Sequence, residues 1–333
     1  MRVSTAFIAL LLVFETAALF AGGQKESEVR PTMISIPKFK GPWLNRLETG
    51  LKKAAADFSI DVIQQTPSAS DEAQHQLSSI DNATSRGANA ILVVPDDAKM
   101  IEPALGRAQS RKIAIITHLS PGQMNADFDV EMTDSREFGE RALEEMVTAM
   151  GSPVGEYVVY VGSFTRADHN IRADAAIALA RQKYPRLELI GYRFPVSGDQ
   201  ALARTISLEL IAAHPELKAV LAFGSQGGPG AAQAVRETGL IGRVTVIGTT
   251  APSQASPYLK DGSLSACILW DPAEAGYAMV YLAKLVLEGK RSMIGPDLDI
   301  PELGTPFAFK GNTLVYDRPL IVTRENVDDY AGF

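Results

Sequence analysis

Short apolar runs alternate with stretches of helical periodicity along most of the chain. The run at 90–94 is apolar at every position, which is typical of a strand buried on both faces of a sheet. The stretches between such runs place apolar residues three and four positions apart, as amphipathic helices do. Alternating strands and helices favour right-handed crossovers and a parallel sheet. The pattern therefore predicts an α/β protein.

The alternation falls into two series. The first has predicted strands at 33–38, 60–64, 90–95 and 112–118, with helices at 42–58, 71–86 and 101–109. The second begins after Met132, with strands at 156–162, 187–194, 219–223, 244–249 and 264–270, and helices at 135–150, 167–183, 199–213 and 230–238. Two series of this length predict two doubly wound parallel-sheet domains in tandem.

A strong helix over 271–289 follows the second series. Asp271 can cap its start, Pro272 suits the first turn, and Gly289 ends it. The tail beyond it contains several Pro and Gly residues between short extended patches, which indicates a clasp over the domains and not a third domain.

These boundaries predict two lobes joined by a three-segment hinge. The first lobe would comprise 31–132 and 272–296, and the second lobe 133–271 with the tail 297–333. The chain would cross between the lobes near Met132 and Thr133, near Asp271, and near Pro296.

The N-terminus has the features of an export signal. Arg2 supplies positive charge, 6–14 is almost wholly apolar, and Ala21 is the small residue that signal peptidase requires. We expect a signal peptide at 1–21 and a flexible linker at 22–30, with the mature protein in the periplasm. The alternative is an N-terminal membrane anchor that is not cleaved.

Composition excludes several classes of protein. A net charge of −7 argues against nucleic acid or anionic lipid as a partner. The only cysteine, Cys267, lies in an apolar run, and the four histidines show no paired metal spacing, so we expect neither metal nor cofactor. The Gly-rich segment 224–230 lacks the Lys-Ser/Thr of a phosphate loop, and no GxSxG motif occurs. We do not expect an enzyme.

Polar and aromatic residues follow several predicted strands, where parallel sheets bind ligands. Lys38 offers three donors, and Trp43 offers a flat apolar wall of the kind that sugar C–H faces contact. Asp168 and His169 begin a helix together and indicate hydroxyl recognition. For Lys38 the alternative is a solvated surface position, for Trp43 a place in the core, for His118 a structural role, and for Asp271 helix capping alone.

In these motifs the chain resembles the type I periplasmic binding proteins, the solute receptors of ABC importers. The nearest branch comprises the autoinducer-2-binding and rhamnose-binding receptors. The motifs that carry the resemblance, in chain order, are Ile36-Pro37-Lys38, Ala167-Asp168-His169-Asn170, the helix start at 229–234, Leu269-Trp270-Asp271, and the tail segment 320–326.

The resemblance implies specific ligand contacts. Lys38 and Asp168 match the Lys and one Asp of autoinducer-2 receptors. His118 and His169 stand where those receptors have Asp and Gln, and Phe223 and Ser225 where they have Pro and Ala. These four departures favour a neutral sugar or polyol over autoinducer-2, and two imidazoles in the site predict weaker binding below about pH 6.

We therefore expect a monomeric periplasmic receptor that captures a small sugar or polyol by hinge closure and delivers it to an ABC importer permease. The predicted ligand-binding residues are Lys38, Trp43, His118, Asp168, His169, Phe223, Ser225 and Asp271. The alternatives are an autoinducer-2 receptor, a sensory receptor that presents ligand to a chemoreceptor or kinase, and a secreted hydrolase that uses Asp168 and Asp271.

Overall fold

The structure is a computed structural model that describes residues 30–66 and 72–333. The predicted signal peptide, and all of the predicted linker except Arg30, lie outside the described residues. Within those residues, no helix is both long enough and apolar enough to cross a membrane.

Strands and helices alternate through the first part of the chain. In order they are β1 Thr32–Ile36, α1 Pro42–Phe58, β2 Asp61–Gln64, α2 Glu72–Ser85, β3 Ala90–Val93, α3 Ala98–Ser110, β4 Ala114–His118 and β5 Phe128–Glu131. The residues of β3 and β4 are buried at every position, as their continuous apolar runs predict.

The second part repeats the alternation. It contains α4 Ser135–Met150, β6 Gly155–Tyr160, α5 Ala167–Lys183, β7 Leu187–Leu189, α6 Gln200–Ala213, β8 Leu217–Ala222, α7 Gly227–Glu237, β9 Thr245–Gly248, α8 Pro252–Asp261 and β10 Ala266–Leu269. The chain then forms α9 Pro272–Leu287 and the short strands β11 Ala308–Lys310, β12 Thr313–Val315 and β13 Leu320–Val322.

These strands form two sheets. The first sheet has the order β11-β12-β5-β4-β3-β1-β2, and the second has the order β13-β10-β9-β8-β6-β7. Pairing is parallel throughout both sheets except where the tail strands β11 and β13 pair antiparallel with β12 and β10. The predicted α/β class, with two doubly wound parallel-sheet domains, is confirmed.

The structure corrects the place of the tail. We expected the tail from 297 onward to lie with the second lobe, but β12 pairs in parallel with β5 and extends the first sheet. Only β13 joins the second sheet. The third crossing between the sheets therefore lies in the segment 316–319, between β12 and β13, and not near Pro296. It runs beside the first crossing, because the amide of Arg318 donates to the carbonyl of Met132.

Two elements were not predicted. In β5, Asp129 and Glu131 alternate with apolar residues yet are buried, so the run does not have the apolar pattern of a central strand. In α8, Pro252 opens the helix and Pro257 lies inside it, and proline disfavours a helical interpretation.

Helix α9 packs against α1 of the first sheet at very short range. A Cβ on Gly50 of α1 would overlap the backbone of Ala273, so only glycine permits this approach. The contact fixes the start of α9, and with it the Trp270-Asp271 crossing, against the helix that carries Trp43.

Candidate functional site

A cavity of about 530 Å³ opens where residues that follow strands of both sheets meet. Polar and aromatic side chains and short glycine segments line it. The lining residues are Lys38, Phe39, Lys40, Trp43, Leu119, Arg166, Asp168, His169, Arg172, Gly198, Gln200, Gly224, Ser225, Gln226, Thr249 and Trp270.

A cluster of buried charges lies at one side of the cavity. Lys38 follows β1, whereas Asp168 and Arg172 lie one turn apart on α5, and all three side chains are buried. Nη2 of Arg172 lies 3.6 Å from Oδ2 of Asp168. Burial lowers the pKa of Lys38, and the Asp168 charge acts against that shift. Burial also acts to raise the pKa of Asp168, but His169, Lys38 and Arg172 together hold it below its usual value.

The hydrogen bonds of His169 fix its tautomer. The backbone amide of Gly162 donates to Nδ1 over 3.0 Å, so in the neutral ring the proton is on Nε2. That atom lies 3.6 Å from Oδ2 of Asp168. Burial lowers the pKa of His169 to about 3; Asp168 acts against this shift, and Lys38, Arg166 and Arg172 act with it. His169 therefore presents a neutral donor to the cavity at ordinary pH.

Two tryptophans, Trp43 and Trp270, form the aromatic wall of the cavity, and the buried His118 ring packs against both. The His118 ring stacks on Trp43 with centroids 5.8 Å apart and meets Trp270 edge-on. Its Nδ1 donates to the carbonyl of Val130 over 2.5 Å, which leaves Nε2 to accept from Nε1 of Trp270 over 3.4 Å. Burial lowers the pKa of His118 to about 4.

Arg172 packs against this aromatic wall. Its guanidinium lies 4.7 Å from the ring centroids of both Phe138 and Trp270, within cation–π range. The atoms Nε and Nη2 make no hydrogen bond with a described residue. The side chain is thus held by aromatic faces while two donors remain to be satisfied.

An ion pair joins the two sheet units at the edge of the cavity. Arg166 precedes α5 in the second unit, and its Nε donates to Oδ1 of Asp96, which follows β3 in the first unit, over 2.8 Å. The Arg166 guanidinium also lies over the ring of Phe39. Both charged side chains are largely buried. The contact therefore exists only when the two units are close together.

The structure brings five of the predicted residues to the cavity. They are Lys38, Trp43, Asp168, His169 and Ser225. Ser225 lies in the turn before α7, where its carbonyl accepts from Oγ1 of Thr250 over 3.0 Å and its hydroxyl accepts from Nε2 of Gln226 over 3.3 Å.

The other three predicted residues need correction, because none of them lines the cavity. His118 is fully buried, and its two ring nitrogens are used within the protein. Phe223 is core, and its amide donates to the carbonyl of Tyr160. Asp271 caps α9 and binds the guanidinium of Arg46 with both carboxylate oxygens, so its carboxylate is already satisfied.

Residue-level prediction missed part of the lining, including Phe39, Arg166, Arg172, Gln200 and Trp270. Arg166 and Trp270 lay in the segments 163–170 and 270–271 at the ends of predicted strands, and this position was the available signal. Gln200 gave no such signal, because its helix follows the irregular segment after β7.

Comparison with known proteins places this architecture among binding proteins. A family model described as "Periplasmic binding protein domain" matches residues 33–291. The "Ribose import binding protein RbsB" of Bacillus subtilis (strain 168) is 22% identical over 278 residues, which cover 81% of this chain and 85% of that protein. The "D-allose-binding periplasmic protein" of Escherichia coli (strain K12) is 22% identical over 268 residues, covering 78% and 84%.

Solved structures show the same fold. LsrB from Clostridium saccharobutylicum in complex with AI-2 superposes with a TM-score of 0.82 at 21% identity, covering 90% of this chain and 99% of that one. An ABC transporter solute-binding protein from Clostridium phytofermentas with bound L-rhamnose gives a TM-score of 0.82 at 22% identity, covering 91% and 98%.

Proposed function

Because the chain belongs to the family of periplasmic binding protein domains, we propose that it captures a small sugar or polyol in the cavity between its two sheet units. The observation that carries this proposal is the lining of that cavity. Two tryptophans provide an apolar wall, and Lys38, Asp168 and His169 converge beside it as polar groups of fixed orientation.

The chemistry of the lining suits a polyhydroxylated ligand. A hydroxyl group both donates and accepts, and the cavity offers donors from Lys38, His169 and Arg172 beside an acceptor from Asp168. The C–H face of a pyranose or furanose ring packs on an aromatic face such as that of Trp43. Relatives named for ribose and allose, and a similar structure with bound L-rhamnose, support the same ligand class.

We propose further that the protein acts without catalysis as the periplasmic substrate-binding component of an ABC importer. The names of its relatives and the family itself support this role. In this proposal the mature chain is a monomer that begins near Gly22, and the closed lobes dock on the membrane permease. The crossings at 132–134, 270–271 and 316–319 serve as the hinge.

A ligand screen with two readouts tests the proposal. Thermal shift should identify stabilising monosaccharides or polyols, since a ligand at about 100 times its Kd adds about 2.7 kcal/mol. Small-angle scattering should then show a smaller radius of gyration with ligand. A panel of neutral and acidic monosaccharides, polyols and autoinducer-2 covers the alternatives.

A matched pair of lysine variants connects binding to the cavity. Lys38→Met should weaken binding by about 1.5–3 kcal/mol, the range for a hydrogen bond to a charged group. Lys52→Met removes a lysine that is mostly exposed on α1 and should bind like the wild type. Equal affinity in both variants, or stabilisation without compaction, would contradict the proposed site and closure.

A further inference from the structure

The charges that line the cavity are unbalanced. Among the described lining residues, Lys38, Lys40, Arg166 and Arg172 are cations, and Asp168 is the one carboxylate. Lys40 is exposed, so water screens its charge. Arg166 is paired with Asp96. Two buried cationic side chains of the lining, Lys38 and Arg172, therefore face one buried carboxylate, that of Asp168.

Other carboxylates nearby do not supply the missing charge. Asp271 is engaged by Arg46 through both oxygens. Glu131 is buried on β5 outside the cavity lining, and burial and the neighbouring Asp129 both raise its pKa well above the usual value.

Burying two cations against one anion is costly, because a desolvated charge needs a partner of opposite sign. The aromatic faces of Phe138 and Trp270 offset part of this cost for Arg172, yet its Nε and Nη2 still make no hydrogen bond with a described residue. A ligand with one negative group in the cavity would supply the missing charge.

We propose that the ligand is a monosaccharide acid, an aldonate or uronate, whose single carboxylate binds between Lys38 and Arg172. This inference rests on the proposed function and specifies its ligand class. A carboxylate matches the excess of one charge and the planar fork of an arginine. A phosphate monoester carries about −1.5 to −2 at neutral pH and would exceed it.

Calorimetry with matched pairs tests the inference. The pairs are galactose with galacturonate, glucose with gluconate and ribose with ribonate, and a hexose phosphate represents the other source of negative charge. At least one acid should bind about tenfold tighter than its neutral partner. Small-angle scattering on each complex reports closure independently of charge.

Two variants test whether Asp168 and Arg172 determine the preference for the acid. Asp168→Asn removes the only carboxylate of the lining, so it should retain or tighten binding of the acid while it weakens binding of the neutral partner. Arg172→Gln should abolish the preference for the acid. Arg204→Gln, which removes a surface arginine paired with Glu237, should keep that preference. If Arg172→Gln fails to fold, Asp168→Asn, which preserves side-chain shape, still decides the question.

The outcomes separate the two proposals. Neutral sugars that close the protein and bind as tightly as their acids would overturn the acid proposal and leave the proposed function intact. A hexose phosphate that binds tighter than every carboxylate would overturn the assignment of a carboxylate. The assignment would also be overturned if Asp168→Asn weakened binding of the acid as much as binding of the neutral sugar. No binding by any member of the panel would contradict both proposals.

Discussion

At the scale of single residues, the two buried imidazoles make the folded state sensitive to acid. The pKa of His169 is lowered to about 3 and that of His118 to about 4, from an ordinary value of 6.5. The unfolded chain takes up protons below about pH 6.5 where the folded chain does not. Each histidine therefore costs the folded state stability as the pH falls from that value towards the folded pKa.

We predict that His169→Gln reduces this loss of stability at low pH. Below about pH 6 the free energy of unfolding of the wild type should fall faster than that of the variant by about 1 kcal/mol per pH unit. Urea unfolding at several pH values measures the difference, and His214→Gln, at a partly exposed position, is the matched control. Parallel curves for wild type and His169→Gln would show that His169 is not held neutral.

The same residues show what the sequence could reveal of the site. The positions of Lys38 and Asp168 were predictable because residues that follow the strands of parallel sheets lie where ligands bind, and both line the cavity. His118 was not, since only the structure shows that both its nitrogens are taken by Val130 and Trp270. The lowered pKa values of both histidines also move the expected loss of binding from pH 6 to more acidic conditions.

At the scale of elements, the packing of α4 on α5 sets the position of the charged cluster. A Cβ on Gly139 of α4 would overlap the backbone carbonyl of Arg172. We predict that Gly139→Ala displaces α5 and costs about 1–3 kcal/mol of stability, with weaker ligand binding because Asp168 and Arg172 move.

Denaturant unfolding and calorimetry together check this prediction. Thr148→Ala, on the exposed side of α4, is the control and should change stability by less than about 0.5 kcal/mol. A Gly139→Ala protein with unchanged stability and affinity would show that the helices can separate without consequence for the site.

Most elements were predictable because their apolar periodicity is strong. The bounds of α1, α4 and α5 agree with the prediction at both ends. Failures have local causes: β5 buries Asp129 and Glu131, and α8 contains an internal proline. The pairing of β12 with β5 joins residues far apart in the chain, and local patterns carry no information on such a contact.

At the scale of the whole molecule, the Arg166–Asp96 ion pair stabilises the closed arrangement of the two sheet units. We predict that Asp96→Asn weakens ligand binding about tenfold, because closure loses a largely buried charge pair. The unliganded variant should also have a larger radius of gyration than the wild type.

A second arginine–aspartate pair provides the control. Asp81 and Arg107 form an exposed pair within the first sheet unit, so Asp81→Asn should change neither affinity nor scattering. If Asp81→Asn and Asp96→Asn behave alike, the ion pair between the units does not contribute to closure.

The place of β12 in the first sheet has a consequence for how the protein is made. A ribosome completes β1 to β5 early, yet the partner that covers β5 is encoded near the end of the chain. Until that partner emerges, β5 presents an open strand edge on which another nascent chain could pair. The lobe synthesised first therefore stays incomplete until nearly the whole chain has been made, and the edge of β5 has to be protected until then.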